Sequence, residues 1–285
     1  MKKLIYQGRI REGGVGTLTS EEYSVYFDDE LSYAYLDPKP VVDYQDQSYR
    51  VSVNGSNDIL RYHELHAEIQ AAYFELIKPY LKKDLIVLEI GCGGGILLDK
   101  IRNAGFKTIG VEPNGEFQKS LRQNGHLVYS DVEEAMPEWQ GKVGLVLSFH
   151  VIEHVHNPED FIRSIGDLLS FGGRAFVQTP NYYDILLEIN FDAFAPFFFR
   201  KVHPVYLTED SLKKMVISSG LEFEMPVYYH DFGIANTFYW LRDKTPMGNQ
   251  TMEGITPSLD EFWKEYLIKQ KRTKDIAVVF SKKNI

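Results

Sequence analysis

The sequence predicts an α/β protein built on a doubly wound, mostly parallel sheet, and three observations lead there. Short β-rich apolar runs that stop at glycines alternate with stretches of helical period from about residue 82 to residue 285. The first run, its glycine turn, the helix after it and the next run make a βαβ unit, whose crossover is right-handed and whose strands are parallel. A length of 285 residues with 44% apolar and 25% charged side chains supplies a core of enzyme size and excludes disordered or fibrous classes.

Residues 1–81 stand outside the alternation. They mix short β-like stretches, a Gly13-Gly14-Val15-Gly16 turn and many tyrosines, and Asn57 to Tyr80 then reads as an amphipathic helix. This part is expected to be an aromatic-rich extension and lead-in helix packed on a domain spanning 82–285. In that domain Leu85-Ile86-Val87-Leu88-Glu89-Ile90 is a strand buried on both faces. Gly93 to Gly105 is a helix with Ile96, Leu97 and Ile101 inward and Gly105 as its stop, and Lys107 to Val111 is the next strand. A helix over Glu116 to Gln123, a strand at Leu127 to Tyr129 and a buried strand at Val143 to Phe149 follow. Asn157 as N-cap, Pro158 at the first position and Glu159 and Asp160 in the first turn open a helix that Gly172-Gly173 is expected to end. Arg174 to Thr179 is a strand, and Thr208 to Ser219 is a helix capped by Thr208 and stopped by Gly220. Leu221 to Tyr229 and Ile276 to Ser281 are the last strands, separated by an insertion at 230–271.

The charge balance of 31 basic against 40 acidic residues gives −9, a surface that repels phosphate backbones and argues against nucleic acid as a partner. Cys92 is the single cysteine, so neither an internal disulfide nor a cysteine zinc site can form. Met1-Lys2-Lys3 has the charge of a signal peptide, but its apolar stretch stops at once, and no apolar run reaches the ~18 residues of a membrane span. A soluble cytoplasmic protein is expected.

Glu89-Ile90-Gly91-Cys92-Gly93-Gly94-Gly95 lies between strand and helix, where residues without side chains let backbone N–H groups approach a ligand. A dinucleotide fingerprint needs glycine at 91, 93 and 96, and position 96 is Ile; a P-loop needs Lys-Ser or Lys-Thr after the glycines, and none follows. The carboxylates fit a different ligand. Glu89, on the strand side, disfavours a pyrophosphate and suits an ammonium, and Glu112, at the end of the next strand, is placed to accept two ribose hydroxyls. An adenosine with a cationic amino-acid tail, S-adenosylmethionine, meets both conditions.

Val87 to Gly95 resembles motif I of class I S-adenosylmethionine-dependent methyltransferases. Gly110-Val111-Glu112-Pro113-Asn114 is similar to the segment after it, Leu145 to Val155 to the fourth-strand motif, and Leu168 to Gly173 to the motif before the fifth strand. The resemblance covers about 82–229 and implies a seven-stranded Rossmann-like fold. It also implies cofactor contacts at Glu89, Gly91, Cys92, Gly93, Glu112 and Pro113, an adenine pocket at Asp131 and Val132, and a methionine side lined by Phe149 and His150.

His150-Val151-Ile152-Glu153-His154 has three readings. As an inverted zinc-peptidase motif it needs both histidines on one helix face, and Pro158 begins the next helix too late for that. As a metal-assisted methyl-transfer cluster it resembles segments of small-RNA end methyltransferases and ubiquinone-pathway O-methyltransferases, with His150, Glu153, His154 and His203 as ligands; His150 stands where those relatives carry Glu and suits an ion softer than magnesium. In the third reading Glu153 and His154 brace the loop or supply a general base, with His154 the first candidate and His203 the second.

The acceptor is expected to be a small molecule, a sugar, surface-polysaccharide or natural-product intermediate by analogy, methylated on O or N. Its pocket is expected outside the shared sheet: in the extension, in the loop Asn181 to Pro204 with Arg200 and Lys201 facing an anionic group, and in the 230–271 insertion as a lid carrying Phe238-Tyr239-Trp240. The aromatic share of 14% would then mark three walls of one pocket. The rival readings are an RNA-end methyltransferase with a divalent metal and a non-catalytic subunit of the same fold; oligomeric state is left open.

Overall fold

A computed structural model describes residues 1–13, 16–40, 42 and 58–283. The glycine turn read at 13–16 falls partly outside the described residues, at Gly14 and Val15, as do Asn57 and the tyrosines Tyr44 and Tyr49. The extension opens with β1 (Lys2–Gly8), β2 (Tyr23–Asp28) and β3 (Tyr33–Asp37), an antiparallel meander. Helix α1 (Ile59–Ile77) follows, capped by the Asp58 side chain on Leu60 N–H, and a 3₁₀ turn at Lys78–Tyr80 leads into the main sheet.

That sheet grows from β4 (Ile86–Ile90). On one side lie β5 (Lys107–Val111) and β6 (Leu127–Tyr129), and on the other β7 (Val143–Phe149) and β8 (Leu169–Pro180), all parallel. The short β9 (Val205–Tyr206) leaves this sheet and pairs with β3 instead, completing a four-stranded sheet of order β1-β2-β3-β9. β10 (Glu222–Tyr229) and β11 (Asp275–Ser281) return to the main sheet, β11 antiparallel to β8 and β10 antiparallel to β11, giving the order β10-β11-β8-β7-β4-β5-β6. Every residue of β7 and β11 is buried, as expected of strands covered on both faces by helices. Connections diverge to opposite sides at β4. That switch point, at the strand's carboxyl end, is where ligands bind in open α/β sheets.

The helices of the sheet are α2 (Ile96–Asn103), α3 (Gly115–Gln123), α4 (Val132–Trp139) and α5 (Pro158–Leu168). Between β8 and β9 come α6 (Ile185–Ile189) and α7 (Phe191–Phe198), then α8 (Glu209–Ser218), and the late insertion forms α9 (Ile234–Asp243) and α10 (Pro257–Gln270). The caps read in the sequence close as expected: Asn157 accepts from Asp160 N–H, and Thr208 and Ser211 form a reciprocal capping box. Among the described residues no helix is long and apolar enough to cross a membrane.

Two local expectations are corrected. α5 ends at Leu168, not at the glycine pair, and β8 begins at once at Leu169, paired with Val143. The pair serves the strand: Gly172 takes φ +73°, and a side chain on Gly173 would press on the carbonyl of Val143 at 2.8 Å. α4 has no counterpart in the expected elements, because Pro137 interrupts its pattern; Asp131 starts it by accepting from Glu134 N–H.

The aromatic residues of the extension and of α7 form, with apolar residues of α6, a core of their own beside the sheet's. Tyr6 packs on Phe199 at 5.4 Å, Phe194 meets Trp240 edge to face at 4.9 Å, and Phe199 and Tyr206 are fully buried. Truncating one such ring costs about 3–5 kcal/mol, so this core fixes the loop after β8 onto the extension.

Candidate functional site

A cavity of about 1070 Å³ opens at the carboxyl ends of β4, β5 and β7 and runs out to the aromatic core. Its inner end is made by the glycine turn. Gly91 takes φ +78°, and a Cβ there would collide with Val151; Gly91 and Cys92 N–H both donate to Val111 O, at 2.8 and 3.1 Å. Gly91→Ala is therefore expected to cost about 1–3 kcal/mol, read as a lower midpoint in thermal denaturation.

Glu112 ties the turn to the next strand. Its Oε2 accepts Gly93 N–H at 2.9 Å and its Oε1 accepts Asn114 N–H at 3.0 Å, and the residue lines the cavity. Glu89 is buried on β4 and lines the same space, and its Oε2 makes no hydrogen bond. Burial, and then the charge of Glu112, push its pKa up to about 8.

Other expected positions divide. Gly91, Pro113, Asp131, Val132, Phe149 and His150 are on the cavity wall, Asp131 while also capping α4. Cys92 is not on that wall: it is buried with Leu98, Leu121 and Val128 in a small core cluster. Gly93 is also off the wall, its N–H committed to Glu112.

The histidine segment sits midway along the cavity, where β7 gives way to a 3₁₀ turn at Ile152–His154. His150 is held at φ +55°, a conformation a β-carbon disfavours. Burial works against its charge, but Asp275 and Glu153 outweigh burial and raise its pKa. An imidazolium there donates from Nδ1 to Glu153 Oε1 at 3.2 Å and from Nε2 to the Tyr73 hydroxyl at 3.0 Å. Both nitrogens are committed, which corrects the expected ligand set: the three side chains whose ligand atoms lie within 4.8 Å of one another are Glu153, His154 and His203, without His150. Glu153 is buried and braced on both oxygens, by His150 and by Thr179 Oγ1 at 3.0 Å; burial raises its pKa, and the hydrogen bond and charge of His150 bring it below the usual value.

His154 is oriented differently. Its Nδ1–H donates to Val202 O at 2.6 Å, which puts the imidazole lone pair on Nε2. Burial lowers its pKa, with Glu153 and Val202 opposing, so the ring is neutral near pH 7. His203 lies edge-on to it at 4.7 Å, and burial and then Arg200 keep His203 neutral as well.

Where the cavity meets the aromatic core, Phe194, Phe197 and Trp240 form the wall. Of the expected Phe238-Tyr239-Trp240 set only Trp240 faces inward; Phe238 is exposed. Arg200 is on the wall, but Lys201 is not: it pairs with Glu12 at 2.8 Å. Tyr73, Asp275 and Arg11 carry no sequence signal of function. Tyr73, stacked on Phe149 at 4.2 Å, reads in the sequence only as part of a helix face.

A family profile described as a methyltransferase domain matches residues 61–224, more than half of the chain. The chain belongs to the class I S-adenosylmethionine-dependent methyltransferase family. The ubiquinone biosynthesis O-methyltransferase of Caulobacter vibrioides is 33% identical over 104 residues, which cover 34% of this chain and 41% of that protein, so the match spans about two fifths of the relative's length. Two solved structures share the methyltransferase fold: an S-adenosylmethionine-dependent methyltransferase from Archaeoglobus fulgidus (TM-score 0.53, 17% identity, 78% of this chain and 99% of that one) and a chain from the complex of a Haloferax volcanii methyltransferase activator with a methyltransferase (TM-score 0.56, 14% identity, 81% and 96%). At those identities the likeness is one of fold. The methyltransferase family implies S-adenosylmethionine, and the donor set fits it: the orphaned, buried Glu89 oxygen is an acceptor waiting for a cationic donor.

Proposed function

We propose that this methyltransferase moves a methyl group from S-adenosylmethionine to a hydroxyl oxygen of a small acceptor, with His154 as the base. The observation that carries the proposal is the orientation of His154, whose lone pair is fixed on Nε2 by Val202 in the same cavity as the glycine turn. When bound, S-adenosylmethionine supplies an electrophilic methyl. In this reading Glu89 takes the ammonium, Glu112 the ribose hydroxyls, Asp131 and Val132 the adenine edge and face, and Phe149 and His150 flank the methionine side. His154 Nε2 accepts the hydroxyl proton, and the walls hold the acceptor oxygen in line, where alignment alone supplies effective molarities of ~10⁵ M or more.

The oxygen acceptor is supported by the match to a ubiquinone biosynthesis O-methyltransferase. A phenolic ring suits the wall of Phe194, Phe197 and Trp240 better than the sugar expected from sequence, because flat apolar faces there outnumber hydrogen-bonding groups. The −9 charge supports a small acceptor against an RNA end. The Glu153, His154 and His203 trio favours a second reading, in which a divalent ion holds the acceptor oxygen. Incubation with S-adenosylmethionine and catechol, following S-adenosylhomocysteine, tests both. The base reading expects catechol-dependent product that survives exhaustive chelation. Loss of product on chelation, restored by added metal, would establish the second reading in its place, and no catechol-dependent product at all would count against a phenolic acceptor.

A further inference from the structure

Asp184 caps α6 with one carboxylate oxygen and leaves the other unused. Its Oδ1 accepts Leu186 N–H at 2.8 Å, and among the described residues no hydrogen-bond donor or ion-pair partner meets Oδ2. The residue is only 4% exposed and lines the cavity; Oδ2 keeps contact with open space, and the space beside Asp184 is that cavity. The turn that carries it is pinned to the chain entering β11, with Asn181 N–H donating to Lys274 O at 2.8 Å and Ile185 N–H to Arg272 O at 3.2 Å, so the carboxyl is held in place before a ligand arrives. A polar group this deep is as a rule hydrogen-bonded, and one left open on a cavity wall is a place for a ligand's donor.

The charges around Asp184 select the kind of donor. Lys274 is the cation it feels, and that ammonium is already shared, 2.8 Å from Asp231 and 3.5 Å from Asp275. Asp275 also has His150 at 3.7 Å, and His150 is balanced by Glu153 at 3.2 Å. His230, whose Nδ1 accepts Lys274 N–H, adds no charge, since burial pulls its pKa down to about 4. In this group Asp184, Asp231, Asp275 and Glu153 face two cations, Lys274 and His150, and Asp184 is the carboxylate that neither contacts. Burial pushes its pKa up to about 7 against the Leu186 hydrogen bond, with the charge of Asp275 adding. A neutral donor would satisfy Oδ2 alone, whereas an ammonium satisfies the oxygen and the charge together.

An apolar surface stands within reach. Asn236 and Thr237, four and three residues before Trp240, share its face of α9 and line the same cavity. Asn190, just past the end of α6, donates from Nδ2 to Trp240 O at 2.8 Å, which ties α9 to a point about 9 Å along the chain from Asp184. We infer that the acceptor carries an ammonium group on a short arm, which docks on Asp184 Oδ2 while its flat apolar body lies against Trp240. The inference rests on the methyl-transfer reading of the cavity and deepens it: the acceptor is an arylalkylamine whose ring hydroxyl is left for His154.

Calorimetric titrations of phenethylamine, 2-phenylethanol and phenylacetate into wild type and Asp184→Asn, each saturated with S-adenosylhomocysteine, test it. The three probes share one body and differ only in the end group. Wild type should bind phenethylamine about tenfold or more tighter than 2-phenylethanol, with phenylacetate the weakest. Asn keeps the cap on α6 and removes the charge, so in Asp184→Asn phenethylamine should fall to the level of 2-phenylethanol. S-adenosylhomocysteine should bind both proteins alike, which also shows that the variant is folded. If S-adenosylhomocysteine binds wild type but phenethylamine does no better than 2-phenylethanol, or phenylacetate binds best, or the preference for phenethylamine survives in Asp184→Asn, the ammonium site is rejected and methyl transfer stands. If the wild type fails to bind S-adenosylhomocysteine, the methyl-transfer reading falls, and this inference with it.

Discussion

Glu89→Gln is expected to weaken S-adenosylmethionine binding by about 10–100-fold and, in the ligand-free protein, to raise the melting temperature near neutral pH. Both effects come from one buried carboxyl. Its orphaned Oε2 awaits a cationic donor, and a hydrogen bond to a charged group contributes about 1.5–3 kcal/mol. Without that donor the carboxyl is a liability. Its folded pKa of about 8 lies above its ordinary value of 4.5, so between those limits the unfolded chain releases a proton that the folded chain retains. Stability from this group is fully present below pH 4.5 and is lost as pH rises through 8. Gln does not titrate, so by linkage the variant should gain up to about 4 kcal/mol over wild type at pH 8. The gain should vanish at pH 4. Equal melting temperatures at both pH values would contradict the buried, unsatisfied carboxyl.

His154→Ala is expected to lower turnover by about 10²–10⁴-fold while leaving S-adenosylhomocysteine affinity near that of wild type. The ring carries its lone pair on Nε2 and lines the cavity, so under the proposed role its loss removes proton acceptance and not cofactor contacts. The pH profile gives a second reading of the same claim. Burial lowers the His154 pKa, which keeps the base neutral at pH 6.5, and wild-type turnover should fall only as pH drops below that value. Turnover at the wild-type rate in the variant would transfer the role to His203 or remove the need for a base.

The sheet was legible because its signals are local. The run from Val87 to Val111 shows strand, glycine turn, helix and strand within one stretch of sequence, and Asn157 and Thr208 announce their helices by side-chain chemistry alone. The small sheet was not legible, because β3 acquires its partner β9 from a loop that lies far along the chain, and no periodicity reports that pairing. The same distinction holds at the site. Glu89, Glu112 and the His150 to His154 segment are read from a motif, whereas Tyr73, Asp275 and Arg11 become functional candidates only when folding places them against it. Glu153 shows the limit of a motif: its type suggests chemistry, but its hydrogen bonds to His150 and Thr179 appear only in the fold. The aromatic residues proved to be mostly a second core, with Phe194, Phe197 and Trp240 as the faces it turns toward the cavity.

Calorimetric titration of S-adenosylmethionine at pH 7, in two buffers of different ionisation enthalpy, tests the central claim most directly. Because Glu89 is mostly protonated before binding and must be ionised to hold an ammonium, the account expects one-to-one binding with release of about one proton by the wild type, and no such release by Glu89→Gln. Binding without proton release, or binding of equal strength in the two proteins, would contradict it.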